Sequence, residues 1–220
     1  MIELDVRLTA DGVPVVIHDP DVAATTDGAG LVHELTVRQL KALRVAAGPA
    51  PPTSLPTLRE ALAFLHGRAA VEIDIKNDPG DPGFDAAHGT AGHVVDLLHE
   101  LQIRSALVTS TNPATVEWVR KRAPEVPTGV EIEAFDDPWP WLEYSARYGH
   151  AFLLPDAAAL LNAGQQLVDR AHALGIQIDA WTVDDPETIA QLFAWGVDTV
   201  ETDDPQTAVE VRDRIRRSHG

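Results

Sequence analysis

The sequence predicts an α/β protein built on a parallel sheet, and three features support this. The 220 residues are 45% apolar, which is enough for a large buried core. Short runs rich in Val, Ile and Leu recur along the chain, and longer amphipathic segments separate them, as in repeated strand–helix–strand units. No linker-like segment divides the chain, so we expect a single domain over residues 1–220.

Seven segments have the composition of strands in the main sheet. In chain order they are 1–6, 69–75, 105–110, 127–133, 150–155, 176–183 and 197–202. A barrel of the TIM type needs eight parallel strands. We therefore expect a TIM (β/α)8-type barrel that is missing its first strand. A miscounted strand, with an open doubly wound sheet as the rival fold, is the alternative.

Helical patterns fill the intervals between these strands. They predict helices over 57–66, 90–101, 113–122, 138–147, 158–173, 186–195 and 205–217. Asn112-Pro113 and Pro186-Glu187 have the residue types that open helices. A helix is therefore expected to follow each main strand.

A different kind of segment follows the first strand. "DG" and "VPVVIHDP" predict a turn and a short strand that ends at His18-Asp19. Residues 20–56, which include "TTDGAG" and "GPAPPTSLP", predict mostly loop with a short helix at 36–43. A loop of this length in a compact domain is usually functional or misassigned, and active-site loops are the functional case.

The charge balance excludes several classes of partner. The 34 Asp and Glu residues against 17 Lys and Arg give a formal net charge of -17, so we expect no nucleic-acid partner. The absence of Cys excludes thiolate nucleophiles and thiolate metal ligands. No apolar stretch approaches the ~20 residues of a membrane span, and the start lacks a basic leader. We expect a soluble, cytoplasmic protein without a stable membrane anchor.

Acidic side chains alternate along two of the predicted strands. Because successive residues of a strand point to opposite faces, Glu3 and Asp5 share one face of the first strand. By the same rule Glu72, Asp74 and Lys76 share one face of the second. In a parallel barrel such acids belong at the C-terminal mouth, where carboxylates suit Mg²⁺ or Ca²⁺. A solvated strand face is the alternative.

Two further residues are candidates for a site. His18 stands where the short strand enters a loop, and its imidazole is suited to proton transfer near neutral pH. A surface or capping histidine is the alternative. Trp181 stands at a strand end, where its ring would either line a substrate pocket or belong to the core.

Taken together, these motifs resemble the glycerophosphodiester phosphodiesterase family. "IELDVRLTADGVPVVIHDP" resembles the family's E-x-D strand, T-x-D-G turn and strand ending in H-D. "TTDGAG" and "VEIDIK" follow in the family's order, and "WTVDDPETIAQLFAWGVDTVETDDP" resembles its closing block. The matches span nearly the whole chain, and the first and last blocks are the most specific.

The resemblance implies hydrolysis of glycerophosphodiesters to an alcohol and glycerol 3-phosphate with a divalent cation, Mg²⁺ or Ca²⁺. It implies that Glu3 and Asp5 are metal ligands. The family's third ligand is a Glu, and Asp74 stands at that position, one methylene shorter. Glu72, on the same face, is the alternate ligand.

The resemblance also implies roles toward the substrate. His18 would be one of two catalytic histidines. Lys76 would bind the phosphate, and Trp181 would form part of the glycerol pocket. The expected partner is a small-molecule glycerophosphodiester.

One departure from the family concerns the first strand. The family's His-Arg-Gly strand, with its second catalytic histidine, has no counterpart in this sequence. The expected activity of these 220 residues is therefore impaired, and a catalytically degenerate metal- and phosphate-binding barrel is the alternative. A sphingomyelinase-like lipase on the same barrel fits the closing block less well. An open barrel seam would also allow two copies of the chain to associate.

Overall fold

The computed structural model describes residues 1–45 and 53–218, which form two compact units. The first unit covers Met1–Thr128, and the second covers Gly129–Gly220. The loop predicted from "GPAPPTSLP" lies partly outside the described residues. The expectation of a single domain stays a prediction.

The first unit contains a sheet with strand order β2-β1-β3-β4. Its strands are β1 (Ile2–Leu8), β2 (Pro14–Val16), β3 (Val71–Ile75) and β4 (Ala106–Ser110). The strands β1, β3 and β4 are parallel, and β2 pairs antiparallel with the C-terminal half of β1. The short strand β2 ends at Val16, two residues before the predicted end at His18.

The helices of the first unit begin where the sequence supplies caps. They are α1 (Val37–Ala42), α2 (Leu58–Leu65), α3 (Gly89–Glu100) and α4 (Pro113–Arg122). Thr36 and Thr57 each form a capping box with the residue three positions on. Asn112 caps α4, and Pro113 occupies its first turn, as predicted.

The second unit repeats the strand–helix alternation, with strand order β5-β6-β7-β8. Its strands are β5 (Thr128–Ile132), β6 (Phe152–Pro155), β7 (Gln177–Ala180) and β8 (Thr199–Val200), all parallel. Its helices are α5 (Pro138–Tyr148), α6 (Ala157–Ala163), α7 (Gln165–Ala173), α8 (Pro186–Ala194) and α9 (Pro205–Ser218). The predicted order of strands and helices is therefore confirmed in each unit.

The single helix predicted over 158–173 is wrong. The segment forms α6 and α7, which are separated at Gly164. Gly164 has φ 78°, a left-handed conformation that glycine adopts at little cost and that ends a helix. The apolar periodicity continues across the break, which is why the pattern predicted one helix.

The described part of the predicted loop at 20–56 has its own small core. Buried residues from β2, from this segment and from α1 form one cluster, made of Val15, Ile17, Val22, Val32, Leu40 and Leu55. Two 3-10 turns, at 22–24 and 32–34, lie in the same stretch. The segment that follows His18 is therefore packed against the fold. The prediction of mostly loop with a short helix at 36–43 is confirmed for the described residues, where α1 (Val37–Ala42) is the short helix and the rest is loop with two 3-10 turns.

Within the described residues, none of the helices combines the length and apolar character needed to cross a bilayer. Self-association along a barrel seam stays a prediction.

Helix α3 depends on a cap from the loop before it. The Asp85 carboxylate accepts hydrogen bonds from the backbone N–H of Gly89 at 2.7 Å and of Ala87 at 2.8 Å. These two bonds, with Gly89 the larger cause, hold the pKa of Asp85 below its ordinary value. The loop that leaves β3 is therefore joined to the start of α3.

Replacement of Asp85 should weaken the fold in a pH-dependent way. Asp85→Ala should lower the free energy of unfolding by about 1 kcal/mol at pH 7, because α3 loses an acceptor at its first N–H. A carboxyl group with a lowered folded-state pKa stabilises the fold above its unfolded pKa of about 3.9. That stabilisation is lost as the pH falls through the folded pKa, so the gap to wild type should narrow below about pH 4. Urea unfolding of wild type and Asp85→Ala at pH 7 and below about pH 4 measures this difference in the free energy of unfolding.

Glu34→Ala serves as the control, because Glu34 is exposed in a 3-10 turn of the same unit. It should change the free energy of unfolding little at either pH. A gap between Asp85→Ala and wild type that stays constant or widens in acid would contradict the account.

Candidate functional site

The acidic residues of β1 and β3 lie on one face because the two strands pair in register. Glu3 is opposite Glu72, and Asp5 is opposite Asp74. In neighbouring parallel strands, directly paired residues point to the same side of the sheet. The alternate residues Val6, Ile73 and Ile75 are fully buried in the core on the other side, with residues of α2 and α3. The acidic face is thus fixed by the apolar face behind it.

Three carboxylates of this face converge. One oxygen each of Glu3, Asp5 and Asp74 lie within 4.8 Å of one another. Glu3 and Asp5 are partly exposed, and Asp74 is buried. Within the described residues, the third carboxylate of the group is that of Asp74. Glu72, the alternate ligand, is also buried but is not part of the group. The shorter side chain at position 74 therefore reaches the other two acids.

Lys76 lies directly against the same carboxylates. Its Nζ is 3.0 Å from Oδ1 of Asp5, and it forms a second ion pair with Oδ2 of Asp74. Only 15% of the Lys76 side chain is exposed. The structure thus places an ammonium group and three carboxylates in one cluster.

A buried amide anchors the chain immediately after Lys76. The Asn77 side chain is almost fully buried and donates hydrogen bonds to the Asp85 carbonyl and to Oγ1 of Thr115, both at 3.1 Å. Its Oδ1 accepts a hydrogen bond from the Asp85 N–H at 2.8 Å. No local sequence pattern marks this residue, because its partners lie 8 and 38 positions away. Asn77 therefore fixes both the end of β3 and the loop that follows.

Arg7 joins two loops at the end of β1. Its Nε donates to the carbonyl oxygen of His18 at 2.6 Å, and its Nη2 donates to Oδ2 of Asp81 at 2.9 Å. Arg7 is buried, and it stands on the same face of β1 as Glu3 and Asp5 by the alternation rule. That alternation was the one available signal for its role, but its two partners could not be predicted from it.

The His18 side chain lies at the surface beside an acid. Its Nδ1 is 2.9 Å from Oδ1 of Asp19, and 65% of the side chain is exposed. The preceding Ile17 N–H donates to the backbone carbonyl of Asp5 at 2.9 Å. Together with the bond from Arg7, this places His18 next to the strand that carries Glu3 and Asp5.

Trp181 belongs to the second unit, where it follows β7. Its indole Nε1 donates to the Leu154 carbonyl at 2.7 Å, and its own carbonyl accepts from the Ala157 N–H at 2.7 Å. The residue is half-buried. These bonds hold the indole ring in one orientation at the ends of β6 and β7.

The Arg7–Asp81 pair should show energetic coupling. This ion pair is partly shielded from water, because only 9% of the Arg7 side chain and 34% of the Asp81 side chain are exposed. In a double-mutant cycle of Arg7→Met and Asp81→Asn, we expect a coupling free energy within the usual range of about 0.5–3 kcal/mol for contacting residues. Urea unfolding of the four proteins measures it.

The exposed pair Arg59–Glu100 provides the control cycle, because 49% and 59% of its side chains are exposed. Water and salt screen such a pair, so its coupling should be smaller. Additive effects of the Arg7 and Asp81 replacements would show that the two loops are not tied through this contact.

Comparison with known proteins identifies relatives along nearly the whole chain. The model of the glycerophosphoryl diester phosphodiesterase family matches residues 1–207. A glycerophosphodiester phosphodiesterase of Caldanaerobacter subterraneus subsp. tengcongensis is 30% identical over 220 residues, which cover 96% of this chain and 84% of that protein. The predicted enzyme class, phosphoric diester hydrolase, is confirmed by these matches.

Solved structures show the same fold. An Oleispira antarctica phosphodiesterase, in complex with the product sn-glycerol-3-phosphate, has a TM-score of 0.82 and 25% identity, covering 96% of this chain and 84% of that one. A glycerophosphodiester phosphodiesterase from Parabacteroides distasonis has a TM-score of 0.80 at 24% identity, covering 97% and 84%, which shows the fold alone. The predicted α/β fold class is confirmed, and its barrel type follows from these relatives. The chain belongs to the glycerophosphoryl diester phosphodiesterase family.

Proposed function

We propose that the chain hydrolyses glycerophosphodiesters to an alcohol and glycerol 3-phosphate in a reaction that depends on a divalent cation. The observation that carries this proposal is the convergence of Glu3, Asp5 and Asp74 beside Lys76. Family membership supports the reaction class, and the relative from Oleispira antarctica binds sn-glycerol-3-phosphate as its product.

The three carboxylates fit a hard cation. Ca²⁺ binds oxygen at about 2.3–2.6 Å, so two oxygens on one ion are at most about 4.6–5.2 Å apart. The oxygens of Glu3, Asp5 and Asp74 lie within 4.8 Å of one another, which meets this limit. Mg²⁺, with oxygens at about 2.0–2.1 Å, needs a tighter arrangement in which no pair exceeds about 4.2 Å. The set therefore meets the limit for Ca²⁺, and it suits Mg²⁺ where no pair of oxygens exceeds about 4.2 Å.

Each of these residues has a distinct task in the proposed reaction. Glu3, Asp5 and Asp74 would hold the cation, which when bound supplies positive charge to the phosphoryl oxygens. Lys76, on the same face, would bind a nonbridging phosphate oxygen through its ammonium group. A site of this kind gives an anionic substrate the local positive charge that a chain of net charge -17 otherwise lacks.

His18 would move the proton. Its Nδ1–H can donate to Asp19, whose carboxylate lies at 2.9 Å, and this leaves Nε2 to exchange a proton with the substrate or leaving group. The adjacent acid would hold the ring in that tautomer. The exposure of the imidazole, at 65%, leaves it accessible to a substrate.

Trp181 would line the pocket for the glycerol moiety. An indole ring offers an apolar face to the carbon skeleton of glycerol, and the bond from Nε1 to Leu154 fixes its orientation. This role rests on the family motif and on the half-burial of the ring.

A second candidate is a barrel that binds metal and phosphate without turnover. The observation that favours it is that the acidic cluster with Lys76 suffices to bind a metal and a phosphate, whereas turnover also requires proton transfer. The two candidates differ in one measurable property, the release of product.

Release of sn-glycerol 3-phosphate from glycerophosphocholine tests the proposal. We expect turnover with Ca²⁺ or Mg²⁺, none after chelation, and recovery when the metal is returned. His18→Gln should reduce the rate by about 10²–10⁴-fold, because that is the usual contribution of a general acid–base group. Glu3→Gln should require a higher metal concentration, because the cluster loses one carboxylate.

His66→Gln is the matched control, because His66 is an exposed histidine at the end of α2. Its rate should equal that of wild type. Thermal stabilisation by Ca²⁺ and sn-glycerol 3-phosphate without product release would instead establish the binding barrel. Metal-independent turnover, or an unchanged rate for His18→Gln, would defeat the proposed mechanism.

A further inference from the structure

Lys76 occupies the place where the acidic residues need positive charge. Its ammonium contacts Asp5 at 3.0 Å and also pairs with Asp74, and both acids belong to the proposed metal set. These two ion pairs make Lys76 the counter-ion of the acids as well as a candidate contact for phosphate. The ammonium and a divalent metal would therefore bind the same two carboxylates.

The backbone holds the base of Lys76 and leaves its tip able to move. The Lys76 N–H donates to the Val6 carbonyl at 3.2 Å, which extends the pairing of β1 and β3 by one residue. The next residue, Asn77, is fixed by its buried hydrogen bonds. Beyond this fixed base, four methylene groups carry the ammonium, and their rotation can move it by several ångströms without a change in the fold.

The metal and the ammonium compete for the same oxygens. Carboxylates shielded from water are costly unless a positive charge compensates them, and Lys76 supplies one such charge to the buried Asp74 and the partly exposed Asp5. A divalent ion bound to these two acids would place two positive charges next to the ammonium that contacts them. The ion and the ammonium would repel each other. Both cations cannot keep their best contacts at once.

We propose that Lys76 is the resident cation of the acidic cluster and that a divalent metal displaces it. This rests on the proposed function, because it takes Glu3, Asp5 and Asp74 to be the metal ligands. The displaced ammonium then turns toward the anionic substrate. Metal binding thus converts Lys76 from a counter-ion of the protein into a contact for phosphate. Metal affinity is correspondingly lower than three carboxylates alone would give.

Calorimetric titration with Ca²⁺ tests the proposal without an activity readout. Lys76→Gln should bind Ca²⁺ at least about 5-fold more tightly than wild type, because the competing ammonium is gone and allosteric or competitive couplings typically reach this size. Without metal, the same variant should have a lower Tm, since the acids lose a counter-ion. The rise in Tm on addition of Ca²⁺ should therefore be larger for Lys76→Gln than for wild type.

Two further variants serve as controls. Lys76→Arg keeps a positive charge at the cluster and should bind Ca²⁺ with an affinity closer to that of wild type. Lys121→Gln removes an exposed lysine that pairs with Glu117, and it should leave Ca²⁺ affinity unchanged. A gain in affinity for Lys121→Gln equal to that for Lys76→Gln would overturn the proposal, because net charge alone would then explain it.

A measurement on the wild-type protein guards against misfolding of the variant. In protein labelled with ¹³C at the lysine Cε, the resonance assigned to Lys76 by its absence from Lys76→Arg should shift as Ca²⁺ is added. The shift should saturate at one ion per chain. An unmoved Lys76 resonance at Ca²⁺ saturation would overturn the proposal.

The outcomes also separate this proposal from the proposed function. If wild type binds Ca²⁺ and Lys76→Gln binds it no more tightly, the role of Lys76 is wrong while the metal site stands. If neither protein binds Ca²⁺ or Mg²⁺, the metal site itself is wrong and both proposals fail.

Discussion

The in-register pairing of β1 with β3 is the constraint on which the candidate site depends. It places Asp5 opposite Asp74 and Glu3 opposite Glu72, so the acids of two strands share one face. A slip of one residue in either strand would carry its acids to the opposite face and expose its apolar set. The buried Val6, Ile73 and Ile75 resist that slip, because they pack behind the sheet against α2 and α3. The core therefore fixes the position of the acids.

The concentration of charge on this face has an energetic cost that neighbouring residues offset. Lys76 compensates Asp5 and Asp74, and the buried Arg7 ties the His18 segment to the loop at Asp81. Lys76 therefore compensates the acids directly, whereas Arg7 holds the two loops at the end of β1 together. In the proposed reaction, β1 and β3 thus carry the metal ligands, and Lys76 at the end of β3 supplies the positive charge that binds the phosphate.

The sequence predicted what periodicity and residue type encode locally. The alternation in "IELDVR" and "VEIDIK" identified the acidic face, and the cap at Asn112 and the first-turn proline at Pro186 marked the starts of two helices. It did not predict the contacts of Asn77, because its partner Thr115 is 38 positions away and nothing in the local pattern marks the pair. The break at Gly164 was missed for another reason: the apolar spacing continues across it, and one glycine is compatible with a helix interior. The two hydrogen bonds of Arg7, to His18 and to Asp81, likewise depend on loops that only the fold brings together.

The central claim is that Glu3, Asp5 and Asp74 hold one hard cation. Anomalous diffraction from crystals soaked in Mn²⁺, which prefers the same oxygen ligands as Mg²⁺ and Ca²⁺, tests it most directly. The account predicts a strong anomalous peak within about 2.6 Å of an oxygen from each of the three carboxylates, with the Lys76 ammonium moved away. Crystals with Mn²⁺ bound elsewhere, or with Lys76 still paired to Asp5 and Asp74 and no peak between the acids, would contradict it.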